Sequence, residues 1–388
     1  MIRYISDTEP INKRVLLRVD FNVSLHGDYT IADDARIRQS LPTIKLLLQN
    51  HNKPILLSHL DRPKGRDPNL SLAKVAEQLQ SYLPGYTVTL VKDFITDRSA
   101  IDKQKEDELL MLENIRYYEG EKKNDPTFAA SLASLAEIYV DDAFAVCHRE
   151  DASVVGVPRL LPSYGGLLLQ KEIEAMDLLL DNPQHPFLAI LAGAKISTKL
   201  PLIHKLLPLV DMLLLGGGLA NTLLRAKGIQ IGKSICEPEL LPEAKTVLEE
   251  AKEKLILPID ALVGKSPEDP EPVNKPIDII QPEDMILDIG EETRRLFGEA
   301  ISQAKTIVWN GPVGYFENPI YRQGSKFICK AITGNTEATS VVGGGETLAA
   351  IAGSGELDKI THISTGGGAM LEYLEKGSLP GIDALNTK

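Results

Sequence analysis

At 388 residues the chain is too long for one ordinary hydrophobic core, so its length predicts two domains. Hydrophobic residues make up 43% of the sequence and charged residues 25%, as in soluble globular proteins. The formal net charge of -12 argues against a globally basic surface, and therefore against nucleic acid and anionic membranes as partners.

Short apolar runs alternate with amphipathic patterns along the chain. The predicted strands are Val15–Val19, Pro54–Ser58, Ile138–Val140, Phe187–Leu191, Met212–Leu215, Thr306–Trp309 and Ser340–Val342. The predicted helices are Ala35–Gln49, Leu72–Ser81, Leu168–Leu180, Glu239–Lys254 and Glu291–Ala304. This alternation predicts an α/β fold with parallel sheets flanked by helices. Ligands of such folds bind beyond the carboxyl ends of the strands.

A domain boundary is predicted near the middle of the chain. Pro162–Gly166 interrupts the regular pattern, and an amphipathic stretch follows at Leu167–Asp181. Asn182–Pro186 then ends that stretch before a new strand. A helix between two α/β units is suited to act as a hinge. Farther on, Ser266–Ile277 is rich in proline and acidic residues and is predicted to be a solvated loop.

Three glycine-containing segments follow strand-type residues, at Gly193–Lys199, Gly343–Thr347 and Gly366–Ala369. Backbone N–H groups at such strand-to-helix turns bind phosphate. The alternative is a tight turn without a ligand. A further triplet after another strand, Gly216–Gly218, favours the phosphate-binding interpretation.

Lys195 and Lys199 lie four residues apart, directly after a predicted strand. A lysine is usually a solvated surface residue, but this position favours a pair lining a ligand site. Lysine is a compact charge that suits a phosphoryl oxygen in transfer. Glu317 follows a glycine-rich loop, where a carboxylate can accept hydrogen bonds from a ribose or simply be solvated.

Arginines in separate segments mark the first half of the chain: Arg36, Arg62, Arg116 and Arg149. Each alone is most simply a surface residue, but arginine forks bind phosphate and carboxylate. Residues 1–170 carry a net charge of -3 and residues 171–388 a net charge of -9, so a metal-free anion is favoured in the first half. Arginines in one half and glycine loops in the other suggest phosphoryl transfer between two phosphorylated molecules.

Cysteine usage and hydropathy predict a cytoplasmic protein. The three cysteines, Cys147, Cys236 and Cys329, show no CxxC spacing, so neither disulfides nor a thiolate zinc site are expected. The first residues lack a signal-peptide pattern, and no apolar run approaches the length of a membrane span.

Together the segments resemble phosphoglycerate kinase over essentially the whole chain, in order. The motifs that carry the resemblance are Arg18–Val23, Arg36–Ile37, Ser58–Leu60, Leu112–Arg116, Asp142–Phe144, Gly193–Lys195, Trp309–Gly314, Ser364–Ala369 and Leu379–Leu385. The resemblance implies two Rossmann-like domains joined by a hinge helix around a central cleft. It implies an N-terminal acid-substrate domain, residues 1–167 plus 374–388, and a C-terminal nucleotide domain, residues 168–373.

The resemblance also implies roles for individual residues. The set implied to bind 3-phosphoglycerate or 1,3-bisphosphoglycerate is Asp20, Asn22, Arg36, His59, Arg62, Arg116 and Arg149. The set implied to bind ADP or ATP is Lys199, Glu317, Gly344, Gly345, Glu346 and Thr347. Catalytic roles are implied for Arg36, Lys195, Gly345 and Gly368, and a Mg²⁺ contact for Glu346. A monomer is expected from the family pattern.

The implied reaction is transfer of a phosphoryl group from 1,3-bisphosphoglycerate to Mg-ADP, giving 3-phosphoglycerate and ATP in glycolysis. The chain departs from the family at Asp61, where glycine is common, at Glu150–Asp151, and at Glu346, where aspartate is usual. One alternative is another α/β phosphotransferase or carboxylate-activating enzyme. A second is a catalytically weak homologue that acts as a binding protein, which only Asp61 and Glu346 favour.

Overall fold

The structure is a computed structural model that describes residues 2–386. The chain divides into two compact units: Met1–Glu174 with Ser378–Lys388 forms the first, and Ala175–Gly377 forms the second. Residue 1 and residues 387–388, the ends of the sequence-based domain ranges, lie outside the described residues. The division falls after residues 174 and 377, whereas the sequence analysis placed it after residues 167 and 373.

The regular elements of the described residues alternate as the sequence predicts. The strands are β1 Arg14–Arg18, β2 Ser24–Leu25, β3 Ile31–Asp33, β4 Lys53–Leu57, β5 Thr87–Val91, β6 Glu108–Leu112, β7 Ile138–Asp141, β8 Ser163–Gly165, β9 Phe187–Leu191, β10 Met212–Leu215, β11 Leu255–Ile256, β12 Asp260–Gly264, β13 Val273–Pro276, β14 Met285–Ile289, β15 Thr306–Asn310, β16 Thr339–Gly343 and β17 His362–Ser364. The α-helices are α1 Ile5–Thr8, α2 Ala35–Gln49, α3 Ala73–Ser81, α4 Ser99–Asp102, α5 Glu119–Lys122, α6 Pro126–Ala133, α7 Leu167–Asp181, α8 Leu200–Leu206, α9 Gly217–Ala226, α10 Leu241–Ala251, α11 Glu291–Gln303, α12 Gln323–Gly334, α13 Gly345–Ile351, α14 Gly368–Lys376 and α15 Pro380–Leu385.

Each unit is built on a six-stranded sheet whose strands are all parallel. The first sheet has the order β5-β6-β4-β1-β7-β8, and the second has the order β11-β10-β9-β15-β16-β17. The central strands β1, β4, β9 and β15 are almost wholly buried, which is why they appear in the sequence as continuous apolar runs. The predicted pair of α/β units with parallel sheets is confirmed.

The second unit also contains an antiparallel sheet that the sequence analysis missed. Its three strands have the order β13-β12-β14. β13 lies within Ser266–Ile277, so the prediction that this whole segment is a loop was wrong. β13 is largely exposed and contains proline and lysine, as edge strands often do, and it therefore lacks the apolar signal of a buried strand.

Two helices outside the first sheet, α7 and α15, are tied by hydrogen bonds to the segment that follows β7. Asp142 follows β7 and its Oδ1 accepts hydrogen bonds from the amides of Leu168 (2.8 Å) and Leu169 (3.2 Å), which satisfies free N–H groups at the start of α7. At the other end of the chain, α15 packs near the loop after β7, where the Gly381 amide donates to the Cys147 carbonyl (2.8 Å). Within residues 2–386, no helix has the length and hydropathy needed to span a bilayer.

Asp260 joins the antiparallel sheet to α11. Its carboxylate accepts hydrogen bonds from the Thr293 amide (2.7 Å), the Thr293 hydroxyl (2.6 Å) and the Glu292 amide (3.1 Å). Burial raises the pKa of this carboxyl, but the hydrogen bonds from Thr293 and Asn274 outweigh burial and hold the pKa below its usual value. The ionised carboxylate therefore stabilises the second unit at neutral pH.

We predict that Asp260→Ala lowers the free energy of unfolding of the second unit by about 2 kcal/mol, because it leaves buried donors without an acceptor. Urea unfolding at neutral pH measures the change. Asp278→Ala is the matched control, since Asp278 is exposed in the same part of the unit. Equal effects of the two substitutions would show that the Asp260 hydrogen bonds contribute no net stability.

Candidate functional site

Polar residues gather beyond the carboxyl edge of the first sheet. Asp20 and Asn22 follow β1, His59 follows β4, Arg116 follows β6 and Arg149 follows β7. These four strands are neighbours in the sheet, so their loops emerge side by side. The sheet order thus brings together segments that lie far apart in the sequence.

His59 lies between two guanidinium groups. Its Nδ1 is 3.3 Å from Nη2 of Arg18, and its Nε2 is 3.3 Å from Nη1 of Arg149. Burial, together with the positive charge of Arg18, Arg149 and Arg36, lowers the pKa of the imidazole well below its usual value. The ring is therefore neutral at physiological pH and keeps one acceptor nitrogen for an arginine donor.

Arg36, at the start of α2, forms an ion pair with Asp20. The Asp20 carboxylate also accepts a hydrogen bond from the Asn22 amide (3.2 Å). Burial and the charge of Arg149 lower the pKa of the Arg36 guanidinium, which nevertheless remains charged. Burial lowers the pKa of Arg149, and the charges of Arg18 and the exposed Arg62 add to that shift, so these arginines share one electrostatic environment.

Asp61 adopts a left-handed backbone conformation, with φ of 53°. The Asp61 amide donates to Oδ1 of Asn22 (2.8 Å), and its carbonyl accepts from Nη1 of Arg116 (2.6 Å). Left-handed conformations favour glycine, and aspartate is among the other residues that tolerate them. Because the Asp61 side chain is exposed, this departure from the family pattern leaves the contacts of Asn22 and Arg116 in place.

The sequence analysis did not assign a role to Arg18, Ser153 or Glu121. Arg18 is 1% exposed, and its Nε donates to the Ser153 hydroxyl (3.0 Å). That hydroxyl donates to Oε1 of Glu121 (2.6 Å), and the Ser153 amide donates to Oε2 (3.0 Å). Burial raises the pKa of Glu121 to about 7, although Arg18 opposes the shift. An arginine inside a buried strand was the available signal, since such a charge requires partners.

A cavity of about 370 Å³ lies at the carboxyl edge of the second sheet. Its lining comes from the loops that follow β9, β15, β16 and β17: Ala192, Gly193, Ala194, Lys195, Thr198, Lys199, Asn310, Gly311, Gly344, Gly345, Glu346, Thr347, Gly367, Gly368 and Leu371. The structure thus brings together residues from all three predicted glycine segments. One of these segments, Gly193–Lys199, carries both predicted lysines.

Lys199 is buried, and its ammonium group donates to Oδ1 of Asn310. Burial lowers the pKa of the ammonium group to about 8, while Glu346 opposes the shift. The Asn310 amide group also donates to the Gly343 carbonyl (2.9 Å), so Asn310 fixes the lysine relative to the loop after β16. The sequence analysis did not single out Asn310 as a site residue, although it ends a strand within a glycine-rich motif.

The glycine segments differ in what they do. Thr347 accepts a hydrogen bond from the Gly311 amide (2.7 Å) and donates to the Gly343 carbonyl (3.0 Å), which ties two loops together. Gly344 has φ of 103°, a conformation that favours glycine. By contrast, a Cβ on Gly218 would lie 2.1 Å from the Ala194 carbonyl oxygen, so the Gly216–Gly218 triplet serves close backbone packing.

The other residues predicted for catalysis and nucleotide binding are more exposed than Lys199 and Thr347. Lys195, Gly345, Glu346 and Gly368 are exposed at the cavity surface, where side chains and amides are open to a ligand. Glu317 lies in an exposed loop and does not line this cavity. The structure therefore assembles the predicted nucleotide set except for Glu317.

Volume alone does not identify a functional site in this protein. A larger cavity, of about 650 Å³, is lined by Arg14 and Lys53 among others. These residues begin β1 and β4, so the cavity lies at the amino edge of the first sheet. Parallel α/β sheets bind ligands at the opposite, carboxyl edge, where the predicted site residues lie.

Comparisons with known proteins agree with the resemblance. The phosphoglycerate kinase family model matches residues 5–377. The chain is similar to the phosphoglycerate kinases of Dictyoglomus turgidum (47% identical, covering 98% of each chain) and Koribacter versatilis (46% identical, covering 99% of each chain).

Solved structures give the same result. The fold is similar to the structure of phosphoglycerate kinase from Coxiella burnetii, with a TM-score of 0.90 and 39% identity, covering 100% of this chain and 99% of that one. It is also similar to that of the Pyrococcus horikoshii phosphoglycerate kinase, with a TM-score of 0.88 and 32% identity, covering 100% and 98%. With a family match over nearly its whole length and relatives at 46–47% identity, the chain belongs to the phosphoglycerate kinase family.

Proposed function

We propose that this chain catalyses the reversible transfer of a phosphoryl group from 1,3-bisphosphoglycerate to Mg-ADP, giving 3-phosphoglycerate and ATP. Beyond family membership, the observation that carries the proposal is the pairing of an arginine cluster on one parallel sheet with a lysine-lined cavity on another. The binding-protein alternative is not favoured, since Asp61 is accommodated locally, Glu346 still offers a carboxylate at the cavity, and Arg36, Lys195 and Lys199 are all present. The other enzyme alternative, another α/β phosphotransferase or carboxylate-activating enzyme, would lack the arginine set in the first half of the chain.

In this proposal the first unit binds the phosphorylated acid. The residues that contact the acid in this proposal are Asp20, Asn22, Arg36, His59, Arg62, Arg116 and Arg149. Support comes from the shared electrostatic environment of Arg36, Arg62 and Arg149 and from the neutral imidazole among them. Guanidinium groups suit both ends of the acid, because they form paired hydrogen bonds with phosphate and carboxylate.

The second unit binds the nucleotide in the same proposal. Lys199 and the segment Gly344–Thr347 contact its phosphates, and Glu317 contacts the ribose. Support comes from the cavity of about 370 Å³ that contains Lys199 and this segment. Glu317 is exposed outside the cavity lining, so its proposed contact rests on the resemblance.

The transfer step needs charge neutralisation and not a general base, because the acceptor oxygen in the ATP-consuming direction is already a carboxylate. We assign neutralisation of the moving group to Arg36 and Lys195, and hydrogen bonds from backbone amides to Gly345 and Gly368. Preorganised donors of this kind act on the charge that develops in the transition state. The acid and the nucleotide belong to different units, so transfer requires a hinge, and we assign that role to α7.

The residues at the cavity fit a Mg²⁺ ion that is bound mainly through the nucleotide. No group of three or more His, Cys, Asp or Glu side chains within residues 2–386 is arranged to hold a metal ion. Mg²⁺ keeps several waters and often takes one or two carboxylates plus substrate phosphates. Glu346 supplies one carboxylate at the cavity surface, and the ion when bound neutralises phosphate charge.

We further propose that the enzyme works as a cytoplasmic monomer.

We predict that Arg36→Ala lowers kcat roughly 100-fold, about 3 kcal/mol in barrier, with little change in the KM for the nucleotide. The reason is that Arg36 is assigned to the moving phosphoryl group. A coupled assay of ATP formation measures both parameters. Arg38→Ala is the matched control, since Arg38 is exposed on the same helix and paired with Asp34. Near-normal kcat in Arg36→Ala would remove Arg36 from the catalytic set.

We predict that the affinity for ADP is highest below about pH 8 and falls as the pH rises through the pKa of Lys199, which is about 8 in the free protein. Phosphate stabilises the protonated lysine, so deprotonation costs affinity, by at most about tenfold per pH unit for one proton. Calorimetric titration of ADP across this range measures the effect.

Two variants test the assignment to Lys199. In Lys199→Arg the dependence on pH should disappear between pH 7 and 9, because arginine does not titrate there. In Lys199→Ala, ADP binding should weaken while 3-phosphoglycerate binding is retained. Equal weakening of both ligands would argue against assigning them to different units.

We predict that Glu346→Ala raises the Mg²⁺ concentration needed for half-maximal activity, while Glu346→Asp preserves it. The alternative is that Glu346 only stabilises the first turn of α13, where a carboxylate interacts favourably with the helix N-terminus by about 0.5 kcal/mol. Mg²⁺ titration and the thermal midpoint of the same variants separate the two. A lowered midpoint with an unchanged Mg²⁺ requirement would assign Glu346 to the helix alone.

A further inference from the structure

Asp151 is a carboxylate beside the arginine cluster that has no part in the proposed reaction. Asp151 follows Arg149 and Glu150 and is 8% exposed, whereas Glu150 is exposed. It precedes a short π-helical turn, Ala152–Gly156, but its side chain does not cap that turn. The Asp151 backbone carbonyl instead accepts the amides of the turn, so the carboxylate is not needed for local structure.

The Asp151 carboxylate faces positive charge without being hydrogen-bonded to it. Its Oδ2 is 3.9 Å from Nη2 of Arg116, beyond hydrogen-bond distance. Among residues 2–386 this buried oxygen has no hydrogen-bond partner, and neither does the buried Nε of Arg116. Burial lowers the pKa of Arg149 and the charge of Asp151 opposes that shift, so Asp151 acts on two of the arginines assigned to the acid.

The alternative role for Asp151, holding Arg116 in place, is not favoured by the contacts. Nη1 of Arg116 donates to the Asp61 carbonyl at 2.6 Å, and the Arg116 amide donates to Oδ1 of Asn114 at 3.2 Å. The first hydrogen bond orients the guanidinium group of Arg116 independently of Asp151, and the second fixes the Arg116 backbone. What remains for Asp151 is a Coulombic effect, which persists where both side chains are shielded from solvent.

A fixed carboxylate beside guanidinium groups lowers the positive potential that an incoming anion meets. We infer that Asp151 is a built-in counter-anion of the acid site, which weakens the binding of the phosphorylated acid and promotes its release. This inference rests on the proposed assignment of Arg116 and Arg149 to the acid substrate. It makes Asp151 a residue that sets affinity, while the arginines make the contacts.

The test is calorimetric binding of 3-phosphoglycerate, and separately of inorganic sulfate, to the full chain without nucleotide. We compare wild type with Asp151→Asn and with Glu150→Gln, the adjacent exposed control that removes the same charge. Burial raises the pKa of Glu121 to about 7, and the charge of Asp151 adds to that shift. The titrations are therefore run at about pH 8, where Glu121 stays mostly ionised in each variant.

Asp151→Asn should bind both ligands at least about threefold more tightly than wild type, whereas Glu150→Gln should change binding little. ADP binding serves as a second control and should not change. Asp151→Ser provides a second uncharged variant if the asparagine variant folds poorly. Unchanged or weaker acid binding in a folded uncharged variant would overturn the inference, as would equal tightening in Glu150→Gln.

Arg116→Ala in the same titrations separates this inference from the proposed function. If Arg116→Ala does not weaken 3-phosphoglycerate binding, the assignment of the acid site itself is wrong. If Arg116→Ala weakens binding but Asp151→Asn leaves it unchanged, only the counter-anion inference is wrong. Tighter binding in Asp151→Asn together with weaker binding in Arg116→Ala supports both.

Discussion

The placement of like charges beside one buried imidazole constrains the whole carboxyl edge of the first sheet. Arg18, Arg36 and Arg149 all act on His59, and mutual repulsion would disperse them if nothing opposed it. Asp20 pairs with Arg36, and Glu121 reaches Arg18 through the Ser153 hydroxyl. These contacts hold Arg36 and Arg18 in position, so in the proposed acid site a bound phosphate would gain from donors that need little reorganisation.

The cavity of the second unit contains fewer charged side chains than the arginine cluster of the first unit. This cavity relies on backbone amides and two lysines, one of them buried. Burial lowers the pKa of the Lys199 ammonium group to about 8 and Glu346 opposes that shift, while Asn310 accepts a hydrogen bond from the group. Close backbone packing by Gly218 against Ala194 holds the loop that carries the lysines. In the proposed function the two units therefore bind anions by different physical means, arginine side chains in the first and backbone amides with two lysines in the second.

Much of the fold and of the placement of the site residues could be predicted from the sequence. Buried parallel strands such as β9 and β15 are continuous apolar runs, and their ends fix where site residues lie. Side-chain contacts between distant segments were not readable. Arg18 and Ser153 are 135 residues apart, and only the folded chain joins them. The edge strand β13 was missed because its exposed, polar sequence is also that of a loop.

The central claim is that each unit carries one ligand site, the acid on the first sheet and the nucleotide on the second. Hydrogen exchange of the full chain with each ligand alone tests it most directly. With 3-phosphoglycerate, added protection should be concentrated in the loops after β1, β4, β6 and β7. With ADP, it should be concentrated in residues 193–199 and 343–347. Protection of the second set by 3-phosphoglycerate alone, with the first set unchanged, would contradict the account.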